Sequence, residues 1–510
     1  MVSAHRPNRT CICRNLNTLS DEAKQSAPFD PPRAQSTVRT SSQEDDRSAL
    51  HSFLCSSTSI PTDSLIVLFR LSLFIVLLAG IATASLASGM APRSVLDELL
   101  QGPSPAQWNA LSAYDGTLTR KDFVERLDWV FDPAHGIQRY LRLSSEAVVV
   151  YPTPAQNGEP LAVVRFAATT SIKRPLPVRF RSPRQFRDQP AAPGVLPLSG
   201  LRIAIDPADI GGRWAALEDR SVEFRGYGRI NEGDMNLLVG RRLRQELERL
   251  GASVFLVRDK AEPVLPVSSV ELLGSVETLL KERPELAPER FRRWQSGKAS
   301  ADRTALRVAA NFFITKTLET RARVALVQRS FQPDITIVLQ HNATPESTDG
   351  LLTKINRNIF FVDGACLPEE MQDAEQRYRV LLKLLENVTP IETEVGDRIA
   401  RRFEAVTGFP PVLYGNSANT VTVAPQNPYV VARNLALNRD HDGPVVVTEP
   451  YFMNQPETLA RLLAGDYSGE RIVAGKPRIS IFFEYARCVA EGLVATYGRS
   501  TGSNSRAARP

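Results

Sequence analysis

From residue 201 onward, short apolar stretches alternate with amphipathic helical stretches, and this alternation constrains the fold more than any other feature of the chain. Residues 201–205 have a strand pattern, residues 234–250 follow a helical period that Gly251 ends, and residues 253–257 are again strand-like. A strand, a helix and a strand in this order form a right-handed crossover between parallel strands. The sequence therefore predicts an α/β fold with a mostly parallel sheet flanked by helices.

The same alternation continues along the rest of the chain. Further strands are predicted at residues 335–339, 359–362 and 445–447, and further helices at 374–386, 395–406 and 482–497. We therefore assign residues 199–497 to one α/β domain and expect residues 498–510 to form a disordered tail. An insertion near residues 262–300 mixes charged and apolar residues, which fits either a lid or inhibitory helix, or a helix packed on the surface.

A small N-terminal α+β module is predicted at residues 93–190. Thr119 and Asp122 have the spacing of a capping box, which indicates the start of a helix. The extended runs 147–151 and 161–166 favour a β-hairpin or a small sheet. The proline-rich residues 183–197 then fit a linker to the larger domain.

An apolar stretch at residues 65–84 indicates export. Arg70 supplies a positive charge, and residues 82–84 are small residues of the kind found at a signal-peptide cleavage site. The stretch is also nearly long enough to span a bilayer, so a membrane anchor is the alternative to a signal peptide. Residues 1–64 are polar and fit either an over-long start or a disordered extension. Export implies the periplasm or the cell envelope.

Charge and cysteine content argue against two other classes of protein. The net charge of +6 is small for 510 residues, and Lys and Arg are spread along the chain. A nucleic-acid-binding protein would concentrate them in one patch, so we expect no nucleic-acid partner. Only Cys366 and Cys488 follow the export segment, which is too few for a disulfide scaffold. We expect buried free thiols, with a single bridge formed after export as the alternative.

Polar residues follow three of the predicted strands. Asp209, His341 and Glu449 lie two to four residues beyond the predicted ends of these strands, and Glu232 lies at the start of the first helix of the domain. Because ligand sites in open parallel sheets lie beyond the carboxyl ends of the strands, we expect these four side chains in one crevice. An Asp, a His and two Glu together can bind a metal ion and still leave one carboxylate free.

Four segments resemble the type 3 N-acetylmuramoyl-L-alanine amidases, which act on bacterial peptidoglycan. That family has a strand ending in DPGHGG, a Glu before an amphipathic helix, SIHANA after a later strand, and finally a strand ending in Glu. This chain has, in the same order, IAIDPADIGG, INEGDMNLLVGRRL, ITIVLQHNATP and PVVVTEPYFMNQPE. The resemblance covers residues 201–495.

The resemblance implies a zinc-dependent amidase. Carried over position by position, it implies that Asp209, Glu232 and His341 bind Zn²⁺ and that Glu449 is the catalytic carboxylate. Water bound to zinc loses a proton near neutral pH, and a carboxylate beside it can accept that proton as the water attacks an amide. The bond cut by the family joins the lactyl group of N-acetylmuramic acid to L-alanine.

One position departs from the family pattern. Asp209 stands where the family has His, and Ile210 is inserted before the glycines. An Asp oxygen can bind zinc at a distance similar to that of an imidazole nitrogen, so the site can persist with an unusual ligand set. His441 is not expected to substitute, because it precedes the strand that ends before Glu449. The alternatives are a degenerate, non-catalytic peptidoglycan-binding domain and a related zinc hydrolase that acts on another amide.

We expect cleavage of the export segment to leave a mature N-terminus near Ser85, because Ala82 and Ala84 are small enough for a cleavage site. N-terminal sequencing of the native protein measures this directly. A native protein that starts at Met1, or a soluble cytoplasmic form that keeps residues 65–84, would contradict the expectation.

Overall fold

The computed structural model describes residues 91–499 apart from 191, 193, 289–290, 297–298, 415–418 and 425. The export segment 65–84 and the polar regions 1–64 and 500–510 therefore lie outside the described residues. The strands, in chain order, are β1 (Leu141–Leu143), β2 (Ala147–Val150), β3 (Ala162–Arg165), β4 (Arg202–Pro207), β5 (Ser221–Phe224), β6 (Gly228–Asn231), β7 (Ser253–Leu256), β8 (Ile335–Leu339), β9 (Ile359–Val362), β10 (Val421–Thr422), β11 (Val430–Ala432), β12 (Val445–Glu449), β13 (Glu470–Val473) and β14 (Lys476–Ile479).

A seven-stranded sheet forms the centre of the domain, in the order β10-β11-β9-β12-β8-β4-β7. Neighbours among β12, β8, β4 and β7 are parallel, whereas β9 is antiparallel to β12. Thr448 and Pro207 both pair with Leu339, so β12, β8 and β4 end at the same level. The predicted α/β fold with a mostly parallel sheet is thus confirmed.

Helices cover both faces of this sheet. Their bounds are α1 (Pro92–Leu100), α2 (Pro105–Ala110), α3 (Arg120–Arg126), α4 (Pro183–Arg187), α5 (Glu232–Arg249), α6 (Ser269–Glu282), α7 (Ala299–Phe312), α8 (Glu319–Ser330), α9 (Ala374–Glu386), α10 (Thr389–Thr407), α11 (Ala436–Arg439), α12 (Pro456–Leu463) and α13 (Ile481–Tyr497). One face of the sheet, which includes Ile205 and Ile337, packs on α5, α10 and α13 in the largest apolar core. On the other face, Ala204 packs with Val327 of α8.

The N-terminal region folds around an antiparallel sheet of β1, β2 and β3. Its helix α3 begins with the predicted capping box, in which the Thr119 side chain accepts from the backbone N–H of Asp122. Its apolar residues belong to the same continuous core as the large sheet, and the rings of Trp108 and Tyr378 meet edge to face at 5.2 Å.

The stretch interpreted as a linker contains a short helix. A second capping box, formed by Ser182 and Gln185, starts α4, and Pro183 occupies its first turn. Phe186 of α4 is fully buried. Proline-rich sequence suggested a linker, but Pro183 starts a helix here because Ser182 and Gln185 form a capping box around it.

The insertion after β7 runs from residue 257 to residue 318, beyond the predicted residues 262–300, and builds a second apolar core. Helices α6 and α7 and a π-helical segment, Phe313–Leu318, contribute most of it, and Val95 and Leu96 of α1 pack against them. This part of the insertion therefore packs as helices on the domain surface, and its π-helical end leads directly into α8.

The two cysteines that follow the export segment lie among the described residues, whereas the export segment itself does not. Cys366 and Cys488 are both buried free thiols, as predicted. Within residues 91–499, taken with the gaps given above, no helix is both long enough and apolar enough to cross a membrane.

Close packing of α13 on α10 provides a test of the fold. A Cβ at Gly492 would lie 2.7 Å from Ile399 Cα, so Gly492→Ala is expected to lower the free energy of unfolding by about 1–3 kcal/mol. The matched control is Gly274→Ala in α6, where nothing lies within 4 Å of the added carbon. This control should raise stability by about 1 kcal/mol, because alanine favours helix. Urea unfolding of both variants measures the difference, and equal effects would contradict the packing.

Candidate functional site

Three of the four predicted site residues follow strands that end at one edge of the sheet. Asp209 follows β4, His341 follows β8, and Glu449 is the last residue of β12. The loops after β8 and β12 are tied together, because the N–H of Asn342 donates to the carbonyl of Tyr451 at 3.1 Å. Tyr485 of α13 lies beneath both loops, with its hydroxyl 2.9 Å from the Gln340 carbonyl and 2.8 Å from the Thr448 carbonyl.

The loop after β4 is held in a conformation that turns Asp209 inward. Asp209 has a φ of 60°, which is uncommon outside glycine but tolerated by Asp. The buried carboxylate of Glu218 accepts the N–H groups of Ile210 at 2.6 Å and Gly211 at 3.1 Å. On the other side, the guanidinium of Arg258 donates to the carbonyl of Ile210 at 3.0 Å and to the carbonyl of Asp209. These contacts satisfy the backbone groups of a buried turn.

Two glycines let this loop touch the start of α5. A Cβ on Gly233 would lie 2.4 Å from the nitrogen of Gly211, so a side chain there would push the two segments apart. Asp234 then fastens the contact by accepting the N–H of Gly212 at 2.7 Å. The approach brings Glu232, the first residue of α5, beside Asp209.

Lys316 and Arg220 both pair with the carboxylate of Asp209. The ammonium of Lys316 contacts Oδ1, and Nε of Arg220 lies 3.7 Å from Oδ2. Burial pushes the pKa of Asp209 upward, but Lys316 and Arg220 outweigh it and hold that pKa below its usual value. Asp209 is thus an ionised, buried group whose charge is balanced by the chain itself.

Nearby cations compensate the negative charge of Glu232 less well than that of Asp209. Its Oε2 lies 3.4 Å from Nε of Arg220, and its Oε1 accepts the backbone N–H of His341 at 3.3 Å. Burial and the negative charge of Asp209 raise the pKa of Glu232 to about 8, although Arg220 and Lys316 act in the opposite direction. Proton uptake at this carboxyl group is therefore easier than at Asp209.

His341 presents an unpaired nitrogen to the site. Its Nδ1 lies 2.8 Å from Oδ1 of Asn236, whose amide nitrogen donates to the carbonyl of Ala208 at 2.9 Å. Because the oxygen of Asn236 faces the ring, Nδ1 carries the proton and Nε2 is an acceptor. Nε2 is buried and has no hydrogen-bond partner. Burial lowers the pKa of His341 to about 3, so the ring is neutral.

Glu449 completes the edge on the β12 side. Its side chain is half-buried, and the surrounding protein raises its pKa to about 7, against the opposing effect of Arg433 and Arg220. A carboxyl group with that pKa can exchange a proton near neutral pH.

The predicted zinc ligands do not fit a metal site as they stand. Among the residues that the structure describes, no group of three or more His, Cys, Asp or Glu side chains is arranged to hold a metal ion. The physical reason is local, since Asp209 and Glu232 are engaged by Lys316 and Arg220. The ligand roles of Asp209, Glu232 and His341 and the catalytic role of Glu449 stay predictions.

His441 lies in a different cluster. Its Nε2 is 3.2 Å from Oδ2 of Asp206, and Nη1 of Arg323 is 2.9 Å from the other oxygen of that carboxylate. All three side chains are buried. His441 therefore pairs with Asp206 of β4, three positions before Asp209, and supports that strand.

Sequence reasoning missed the residues that surround the predicted ones. Asn236 could have been found, because it lies four residues after Glu232 and so shares its helix face. Lys316 and Arg220 gave no local signal, since each lies in a segment that carries no motif. Their contacts with Asp209 arise only when the insertion and the loop before β5 pack on the sheet edge.

The sequence matches no protein-family model and no curated protein. Similar solved structures include the CwlD amidase from Clostridioides difficile in complex with the GerS lipoprotein, at 14% identity and a TM-score of 0.30, covering 58% of this chain and 98% of that one. The N-acetylmuramoyl-L-alanine amidase AmiC2 of Nostoc punctiforme has 13% identity and a TM-score of 0.30, covering 58% and 97%. Ami1 from Mycobacterium smegmatis has 12% identity and a TM-score of 0.31, covering 59% and 98%. With TM-scores this low, these similarities carry no argument about activity.

Asn236 is expected to support both His341 and the loop after β4. Asn236→Ala removes the bonds to His341 Nδ1 and the Ala208 carbonyl, and it leaves His341 Nδ1 buried without a partner, whereas the Ala208 carbonyl keeps Arg258 at 3.4 Å. The free energy of unfolding should fall by about 1–3 kcal/mol, the cost of one buried orphan. Chemical denaturation measures the change, with Asn109→Ala, exposed on α2, as the control expected to change stability little. A loss of stability no larger than that of Asn109→Ala would contradict the role of Asn236.

Proposed function

We propose that residues 199–497 bind peptidoglycan through the edge of the sheet that carries Asp209, Glu232, His341 and Glu449, without cutting it. The observation that carries this proposal is the pairing of Asp209 with Lys316 in a site whose four motifs resemble those of peptidoglycan amidases. The resemblance supplies the ligand class. The pairing argues for recognition rather than hydrolysis, because a carboxylate already balanced by an ammonium is a poor metal ligand.

The chemistry of the site suits a peptide that carries amides and carboxylates. Arg220 reaches the edge with a side chain that is 37% exposed, and Arg433 is half-buried beside Glu449. Guanidinium groups bind carboxylates through paired hydrogen bonds, and carboxylates such as Glu449 accept amide N–H groups. Stem peptides of peptidoglycan offer both kinds of group. Glu449 then acts as a hydrogen-bond acceptor for the bound ligand.

A second candidate is the zinc-dependent amidase itself. Two observations favour it, namely the buried, unpaired Nε2 of His341 and the pKa of Glu449 at about 7. In that case Asp209, Glu232 and His341 would hold Zn²⁺, and Glu449 would be the catalytic carboxylate. The zinc ion would supply an activated water molecule for hydrolysis. Lys316 and Arg220 would first have to leave the two carboxylates.

Peptidoglycan as the ligand agrees with export. The segment 65–84 supports a location in the periplasm or the cell envelope, with either a signal peptide or a membrane anchor delivering the domain. An exported domain meets peptidoglycan directly.

Sedimentation with purified sacculi tests the proposal. We expect the protein to co-sediment, and we expect no new amino groups of L-alanine to appear, with or without added zinc. Arg220→Ala should weaken binding about tenfold or more, because it removes a partly buried cation from the edge. Arg229→Ala is the matched control, since Arg229 is 61% exposed on the neighbouring hairpin and pairs with Glu223.

The two candidates give opposite results in this assay. Release of L-alanine amino groups that a chelator stops would establish the second candidate in place of the first. Absence of co-sedimentation together with absence of release would contradict both.

A further inference from the structure

We propose that Lys316, assisted by Arg220, is a tethered replacement for a metal ion, so that removing its charge converts the sheet edge into a metal-binding site. This inference deepens the proposed function and rests on it for the identity of the site. The new element is the role of Lys316, which belongs to none of the motifs found in the sequence.

The position of Lys316 is firmly defined. It lies in the π-helical segment Phe313–Leu318, where Phe313, Ile314 and Leu318 are buried in the second apolar core. Single π-helical turns within helices are frequent at functional sites. With its neighbours fixed in the core, the side chain of Lys316 is only 19% exposed and ends on Oδ1 of Asp209.

The charges at the edge match those that a divalent metal would bring. Lys316 and Arg220 together carry two positive charges and contact the two carboxylates that the resemblance makes zinc ligands. Carboxylates this deeply buried need positive partners, whether a metal ion or side chains supply them. The protein supplies them from its own chain.

His341 marks the part of a metal site that an ammonium cannot satisfy. Its Nε2 is buried without a partner although Nδ1 is held by Asn236. A ring oriented through Nδ1 with its other nitrogen free is the usual arrangement of a metal-binding histidine. Lys316 pairs with Asp209 and leaves this acceptor unused, so one ligand position persists beside the two carboxylates.

The departure at Asp209 and the presence of Lys316 explain each other. A neutral imidazole at position 209, as in the family, would offer no charge to an approaching ammonium. A carboxylate there attracts Lys316, and the ion pair in a partly buried setting excludes a second cation through repulsion between like charges. The carboxylate at position 209 thus gives Lys316 a partner that a neutral histidine would not.

Zinc titration of the full-length protein tests the inference. We expect wild type to take up little zinc, and Lys316→Ala and Lys316→Gln to bind about one zinc per chain, about 100-fold or more tightly than wild type, because a nearby positive charge has been removed. Lys316→Arg keeps the charge and should behave like wild type. Lys281→Ala, which removes an exposed lysine from α6 of the same insertion, is the matched control and should change nothing.

Two further readouts locate the metal. Zinc should raise the Tm of Lys316→Ala and leave that of wild type unchanged. Adding His341→Ala to Lys316→Ala should abolish most of the gained affinity, since it removes the nitrogen donor. Cobalt in place of zinc gives an absorption spectrum that reports nitrogen and oxygen ligation directly.

Several results would overturn the inference. One is a wild-type protein that binds zinc as tightly as Lys316→Ala. Another is a pair of folded variants, Lys316→Ala and Lys316→Gln, that gain no zinc affinity. Failure of both variants to fold even in zinc also counts against it, because a metal replacing the lost charge should restore the fold. Co-sedimentation with sacculi, measured on the same samples, separates the two proposals. If wild type does not co-sediment with sacculi but Lys316→Ala gains zinc, the proposed function is refuted and the role of Lys316 is upheld.

Discussion

Parallel pairing of β12, β8 and β4 in register is the constraint from which the candidate site follows. Thr448, Leu339 and Pro207 lie in one row across the three strands, so the chain leaves the sheet at the same level each time. Backbone hydrogen bonds hold that row, and polar side chains that follow it are forced together. Because protein also surrounds them, each charge that arrives at this edge must find a partner there.

The balance of charge decides what the edge can do. The two ligand-type carboxylates differ, since Asp209 has its pKa held down by Lys316 and Arg220 whereas the pKa of Glu232 is raised to about 8 by burial and by Asp209. Two cations of the protein thus engage both carboxylates, and they stabilise the charge of Asp209 more than that of Glu232.

The insertion is tied to the sheet by a chain of buried contacts, which is why it can deliver Lys316 reliably. Glu319, three residues further on, accepts the N–H groups of Val264 at 2.8 Å and Leu265 at 3.0 Å, at the entry to the insertion. The same carboxylate lies 3.5 Å from Arg323, which pairs with Asp206 of β4. Entry, exit and strand are thereby linked, and the segment that carries Lys316 is fixed relative to Asp209.

The sequence by itself determined the local architecture and the set of residues at the sheet edge. Apolar periods and strand-end polar residues predict β4, α5, β8 and β12 to within two residues, because these patterns are set by neighbours along the chain. Only the tertiary structure decided the partners of those residues. Lys316 lies 107 positions from Asp209, and their contact depends on how a helical insertion packs over a loop with a positive φ. Charge pairing in a folded protein follows distances in space, which no local pattern encodes, so the sequence predicts a metal-type donor set while the fold determines that lysine and arginine engage it.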